Sequence, residues 1–154
     1  MRELYEKFMT AALLEAKKGA RHRDVPVGAV MVKENRIIAR SYSKVRALKD
    51  PTAHAEILLI QKTAKKLKSE RLNGCSIYVT IEPCAMCAGA LVLARVEQLI
   101  YGALEPKTGG VKSVFRIAGS KKLNHRIKVT GGVLEEECAE VIKSFFAERR
   151  RLKV

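Results

Sequence analysis

The chain has 154 residues, 47% of them apolar and 30% charged, a mixture that excludes a disordered chain and predicts one globular domain over 1–154. Thirty Lys and Arg against 16 Asp and Glu leave a net charge of +14, far beyond what solubility requires, so an acidic partner is expected. The longest apolar stretch, Cys84 to Ala94, is about half of the roughly 20 residues that a membrane span needs, which argues against a helical membrane protein.

Residues 1–20 carry acids and have apolar side chains at helical spacing (Tyr5, Phe8, Met9, Ala12, Leu13, Ala16), predicting an amphipathic helix rather than a leader peptide. Residues 25–33 and 36–42 are β-branched apolar runs around Glu34–Asn35, a hairpin turn in which Asn35 can take positive φ. Pro51 and Thr52 signal a helix that begins near Thr52, with Ile57, Leu58, Ile60, Ala64 and Leu67 as its apolar positions. A turn and a strand follow over 73–81, then a helix over 83–96 with Pro83 at or next to its first position, where a missing N–H costs little. Residues 98–104 read as a strand, 127–133 as a short strand and turn, and 134–151 as a closing helix with acids in its first turn and Arg in its last. The order αββαβαβ(β)α predicts a mixed sheet covered by helices, with 106–125 as the one long loop.

The positive charge is uneven. Residues 106–128 hold seven Lys and Arg and no acid, and the chain ends in a second basic run that includes Arg149, Arg150 and Arg151. A polyanion such as RNA or DNA fits that distribution. Four cysteines in a chain with no export signal point to a reducing compartment, so a cytoplasmic location is expected, and there paired cysteines more often bind metal or do redox work than form structural disulfides.

Two short motifs carry the chemistry. Cys84 and Cys87 stand three apart at a helix start, where unpaired N–H groups favour thiolates, the form that binds zinc. His54 and Glu56 fall at the start of the other central helix, whose N-terminal end faces the same spot if both helices follow strands of one sheet. One histidine and two thiolates leave a tetrahedral zinc with an open position, which is the arrangement of a catalytic site. A water there becomes acidic near neutral pH, and Glu56 is placed to handle its proton. Two other readings stay open on the residues alone. A lone C-x-x-C can be a redox pair, and a fourth ligand from Cys75, Cys138, His22 or His125 would close the site into a structural one.

The joint pattern, "HAE" (54–56) with "EPCAMCAGA" (82–90), resembles the signature of the zinc nucleobase deaminases of the cytidine/deoxycytidylate deaminase superfamily. "DVPVGAV", "DPTAHAEI", "YVTIEPCAMCAGA", "YGALEPKTGG", "LNHR" and "ECAEVIKSFFAERRR" further resemble the blocks of the bacterial tRNA-specific adenosine deaminases along nearly the whole chain. The resemblance implies a three-layer α/β/α sandwich around a mixed sheet of about five strands, and hydrolysis of the wobble adenosine in a tRNA anticodon stem-loop to inosine. It implies one zinc ion per subunit of a homodimer, with His54, Cys84 and Cys87 as ligands and Glu56 as proton shuttle. Carried over in the same way, the backbone of Ala55 and the neighbourhood of Val25 and Pro83 hold the base, while Lys107, Asn124 and Arg149 meet the flanking RNA. Ser43 stands eleven residues before His54, where the family usually has Asn, and a hydroxyl lacks the reach of an amide. The rivals are a cytosine, guanine or free-nucleotide deaminase on the same fold, and a zinc-stabilised RNA-binding module without catalysis.

Overall fold

A computed structural model describes residues 1–152. Its elements are α1 (Arg2–Arg21), β1 (Gly28–Lys33), β2 (Arg36–Tyr42), α2 (Val45–Leu48), α3 (Ala55–Leu67), β3 (Cys75–Ile81), α4 (Ala85–Leu93), β4 (Gln98–Ala103), β5 (Lys128–Thr130) and α5 (Glu135–Leu152). Lys153, in the basic run at the end of the chain, lies outside the described residues.

The strands form one sheet in the order β2-β1-β3-β4-β5. β1 runs antiparallel to both β2 and β3, whereas β3, β4 and β5 are parallel to one another. The β1–β2 hairpin turns on Glu34 and Asn35, both left-handed at φ 52° and 60°, the backbone that a tight two-residue hairpin requires. A bulge follows at once, because Val32 pairs with Ile37 and Met31 with Ala39, leaving Ile38 as the extra residue.

Alternation along the central strands divides the core in two. Ala29, Met31, Ile77, Val79 and Leu99 face α3 and α4, while Val30, Val32, Tyr78 and Ile100 face α1 and α5. The result is the α/β/α sandwich around a mixed five-stranded sheet that the sequence implied. The face of α1 is as expected: Phe8, Met9, Ala12, Leu13 and Ala16 are buried, each large side chain contributing roughly 1.5–3 kcal/mol. α1 lies so close to the sheet that a Cβ at Gly28 would overlap the helix backbone at Ala12 and Ala16.

Three local expectations are corrected. The helix predicted from Thr52 begins at Ala55, because the Asp50 carboxylate accepts bonds from the N–H and hydroxyl of Thr52 and holds residues 50–53 in a turn. Its buried positions are Ala55, Glu56, Leu59 and Thr63, while Ile57, Leu58, Ile60, Ala64 and Leu67 are only partly covered. Pro83 stands outside α4, which starts at Ala85, and α2 is a one-turn helix that the sequence reading missed.

Candidate active site

His54 and Cys84 are the N-cap residues of α3 and α4, both with extended backbone, and neither side chain makes a capping hydrogen bond. Both are thereby free for a ligand. Because α3 and α4 lie on the same face of the sheet, their N-terminal ends meet, and Cys87, in the first turn of α4, joins them. The ligand atoms of His54, Cys84 and Cys87 all lie within 4.8 Å of one another. His54 Nδ1 stands 3.6 Å from Cys84 Sγ and 3.5 Å from Cys87 Sγ. Bonds of about 2.3 Å to sulfur and about 2.1 Å to nitrogen, meeting at a tetrahedral angle, span about 3.6 Å between donor atoms. The three donors therefore fit a tetrahedral zinc ion.

No fourth His, Cys, Asp or Glu donor belongs to the cluster among the described residues. The four residues that could have closed it are engaged elsewhere. Cys75 is buried at the start of β3, and Cys138 packs against Gly102. His125 Nε2 bonds the Val96 carbonyl at 2.7 Å, and His22 stacks on Tyr42.

Protonation in the metal-free cluster follows from its contacts. Cys84 is pulled down to about 4, chiefly by the hydrogen bond from the Cys87 thiol and further by His54, against the opposing effect of burial. Cys87 is held up as a thiol by that same hydrogen bond and by burial. His54 is raised by its bond to Cys84. Metal binding must therefore expel the proton from Cys87. Glu56 is 3% exposed, and burial pushes its carboxyl up to about 7 against the lowering effects of its own backbone N–H and of His54.

The cluster opens onto a cavity of about 350 Å³ lined by Asp24, Val25, Val27, Ser43, Val45, Arg46, His54, Ala55, Glu56, Ile81, Glu82, Cys84, Glu105, Thr108, Ile142 and Phe146. Its walls set apolar side chains beside polar and charged ones in about equal number, so the cavity can hold a small polar ligand and orient it by hydrogen bonds. Two other hollows are larger, about 530 and 730 Å³, but neither includes a cluster residue.

The structure brings Val25, Ser43 and Ala55 to this cavity together with the cluster and Glu56. Pro83, between the wall residues Glu82 and Cys84 in the chain, is buried and does not itself line the cavity; its carbonyl accepts the N–H of Gly110. Lys107 is exposed on the loop beside Glu105 and Thr108. Arg149 lies one turn beyond Phe146, its guanidinium 5.6 Å from the Phe145 ring centre. Asn124 is not part of the cavity; it lines a separate hollow with Leu93, Arg95 and His125.

Sequence reasoning missed several wall residues. Asp24, 1% exposed, accepts from the N–H of Arg46 at 2.8 Å and of Ala47 at 3.3 Å and so fastens α2 over the cavity. Ile142 and Phe146, four apart on α5, form the far wall, and that spacing was the available signal.

A cytidine-deaminase-type sandwich whose paired helix starts present one His and two Cys beside a buried Glu defines a nucleobase deaminase, and the MafB19-like deaminase family profile matches residues 5–150. More narrowly, the chain belongs to the tRNA-specific adenosine deaminase family. It is 48% identical to the tRNA-specific adenosine deaminase of Aquifex aeolicus, over 94% of this chain and 95% of that one. Identity to the enzyme of the same name from Bacillus subtilis is 43%, over 96% and 92%. A solved structure from work on A-to-I editing by tRNA:A34 deaminases superposes with a TM-score of 0.84 at 45% identity, covering 88% of this chain and 98% of that one. The guanine deaminase from Nitrosomonas europaea, at 22% identity and a TM-score of 0.80, shares the fold.

Proposed function

We propose that the chain hydrolyses the wobble adenosine of a tRNA anticodon to inosine, releasing ammonia. The observation that carries this reading is the three-donor cluster, with no fourth protein ligand among the described residues, opening onto a base-sized cavity that contains Glu56 outside the donor set. His54 Nδ1, Cys84 Sγ and Cys87 Sγ would hold a zinc ion, which when bound would supply an activated water. Glu56 would take one proton from that water and place it on N1 of the adenine, then take the second from the hydroxyl now on C6 and deliver it to the departing amine, so that inosine and ammonia form. Val25, Val27 and Ser43 on one side and Ile142 and Phe146 on the other confine the ring, and the Ala55 N–H, at the open start of α3, is a donor for its edge. Lys107 and Arg149 meet the flanking phosphates of the anticodon loop. A loop base can be splayed into such a cavity at lower cost than a paired one. We also propose that the active form is a cytoplasmic homodimer of single 154-residue domains, a state that light scattering on the purified protein checks.

The discriminating experiment compares inosine formation on an anticodon hairpin with turnover of free adenosine, cytidine and guanine. Turnover of the hairpin alone supports the proposal. Faster turnover of a free base or nucleoside would move the chain to another deaminase activity, and zinc-dependent hairpin binding without turnover would make it an RNA-binding module.

A further inference from the structure

Besides Asp24, the cavity wall contains a second buried carboxylate that proton transfer does not use. Glu82 is 1% exposed and lies between the end of β3 and Cys84. Its Oε2 accepts from the N–H groups of Val111 at 3.1 Å, Lys112 at 2.7 Å and Ser113 at 2.9 Å. Its Oε1 accepts from the Glu105 N–H at 3.0 Å and from the Ser113 hydroxyl. Every donor comes from one loop, residues 105–113, that lies 23 to 31 positions further along the chain.

The loop is shaped in part by its own turns, in which Gly109 N–H donates to the Glu105 carbonyl and Val114, Phe115 and Ile117 donate to Gly109 and Gly110, and by the buried Val111 side chain. It contains neither helix nor strand, and Lys107, Thr108, Lys112 and Ser113 are exposed. Its other backbone ties to the sheet-and-helix framework reach the same short segment as Glu82: Gly110 N–H donates to the Pro83 carbonyl at 2.8 Å, and Gly109 forms an isolated antiparallel bridge with Cys84. The fit leaves no room for side chains. A Cβ at Gly109 would overlap the Glu82 carboxylate, and one at Gly110 would overlap the backbone of Cys84 and Ala85. A carboxylate that accepts several N–H bonds in a buried place is an anchor that a neutral isostere cannot match, because an amide turns donors toward donors.

We infer that Glu82 is a positioning residue for RNA: its buried carboxylate gathers residues 105–113 and locks them to the Cys84 segment, setting where Lys107 and Lys112 meet phosphate and where Glu105 and Thr108 wall the cavity. The inference rests on the proposed function. One side chain thereby sets the spacing between the polynucleotide grip and the metal-binding end of α4. In that role Glu82 governs how the hairpin is held more than how fast the held base reacts.

The test uses full-length, zinc-loaded Glu82→Gln. The expected pattern is a zinc content matching wild type, backbone amide exchange at 105 and 111–113 faster by about ten-fold, and a KM for the hairpin raised about ten-fold while kcat changes far less. Unchanged exchange would show that the carboxylate does not hold the loop, and faster exchange with an unchanged KM would show that the loop's position is irrelevant to RNA. A loss confined to kcat would also overturn the inference. If Glu82→Gln does not fold, Ser113→Ala decides: it removes one donor and should raise loop exchange and KM in the same direction by about three-fold, and no change in either would refute the tether. A wild-type protein that makes no inosine would defeat the proposed function, and the exchange measurement would still decide whether Glu82 holds the loop.

Discussion

Replacing Glu56 with glutamine should stabilise the metal-free protein, and only above a definite pH. Glu56 is buried at the start of α3, and burial lifts its carboxyl from the ordinary 4.5 to about 7. Below pH 4.5 the group is neutral in both the folded and unfolded chains, so it costs nothing. Between 4.5 and 7 the folded state binds the extra proton, and stability falls as pH rises; above 7 the loss is complete. At about 1.4 kcal/mol per pH unit, that interval corresponds to a loss on the order of 3 kcal/mol. Glutamine keeps the shape and cannot ionise, so Glu56→Gln should match wild type near pH 4 and exceed it by up to a few kcal/mol at pH 8. Denaturant unfolding of both proteins at several pH values, with chelator and reductant present, reads the difference directly. Zinc loading should narrow it, since a nearby dication favours the charged carboxylate. Equal stabilities at pH 8, or a difference that does not vary with pH, would refute the claim that this carboxyl is held in a desolvated place.

Cys87→Ala removes one of three donors and should bind zinc far more weakly, with stability and turnover falling together; metal analysis after dialysis and thermal unfolding check this. Asp24→Ala leaves the N–H groups of Arg46 and Ala47 without their acceptor and should cost about 1–3 kcal/mol, with a raised KM from a loosened cavity wall, read by unfolding and steady-state kinetics. Truncation after Arg149 should weaken hairpin binding and flatten its salt dependence while zinc content stays intact, and an unchanged salt slope would make that end of the chain a solvated tail.

The fold was legible where local pattern and tertiary burial agree. α1 shows one apolar stripe because a single sheet face covers it, and the hairpin turn is written in Glu34 and Asn35. In α3 the pattern was partly right: Ile60, Ala64 and Leu67 pack against the core, yet the fully buried positions are Ala55, Glu56, Leu59 and Thr63. Thr63 can be buried because its hydroxyl bonds the Leu59 carbonyl at 2.8 Å, which hydropathy cannot reveal. The metal donors were readable because His and paired Cys are few and their spacing is chemical. Glu82 was not, since a carboxylate at a strand end looks solvated until a loop more than twenty residues away folds onto it. The i,i+4 spacing of Ile142 and Phe146 marks a helix face, but only the packing shows that α5 brings this face to the cavity, and Asn124, expected at the flanking RNA, lines a hollow apart from it.

The account's central claim is that Glu56 moves protons for a water-driven deamination beside a metal it does not bind. The most direct measurement is the mass of an anticodon hairpin after incubation with zinc-loaded wild type and with Glu56→Ala, alongside the zinc content of each protein. Wild type should add about one dalton at a single adenosine, while Glu56→Ala keeps its zinc and its grip on the hairpin but converts it at least about 10²- to 10⁴-fold more slowly. A Glu56→Ala protein that forms inosine at near the wild-type rate, or one that loses its zinc, would contradict the account.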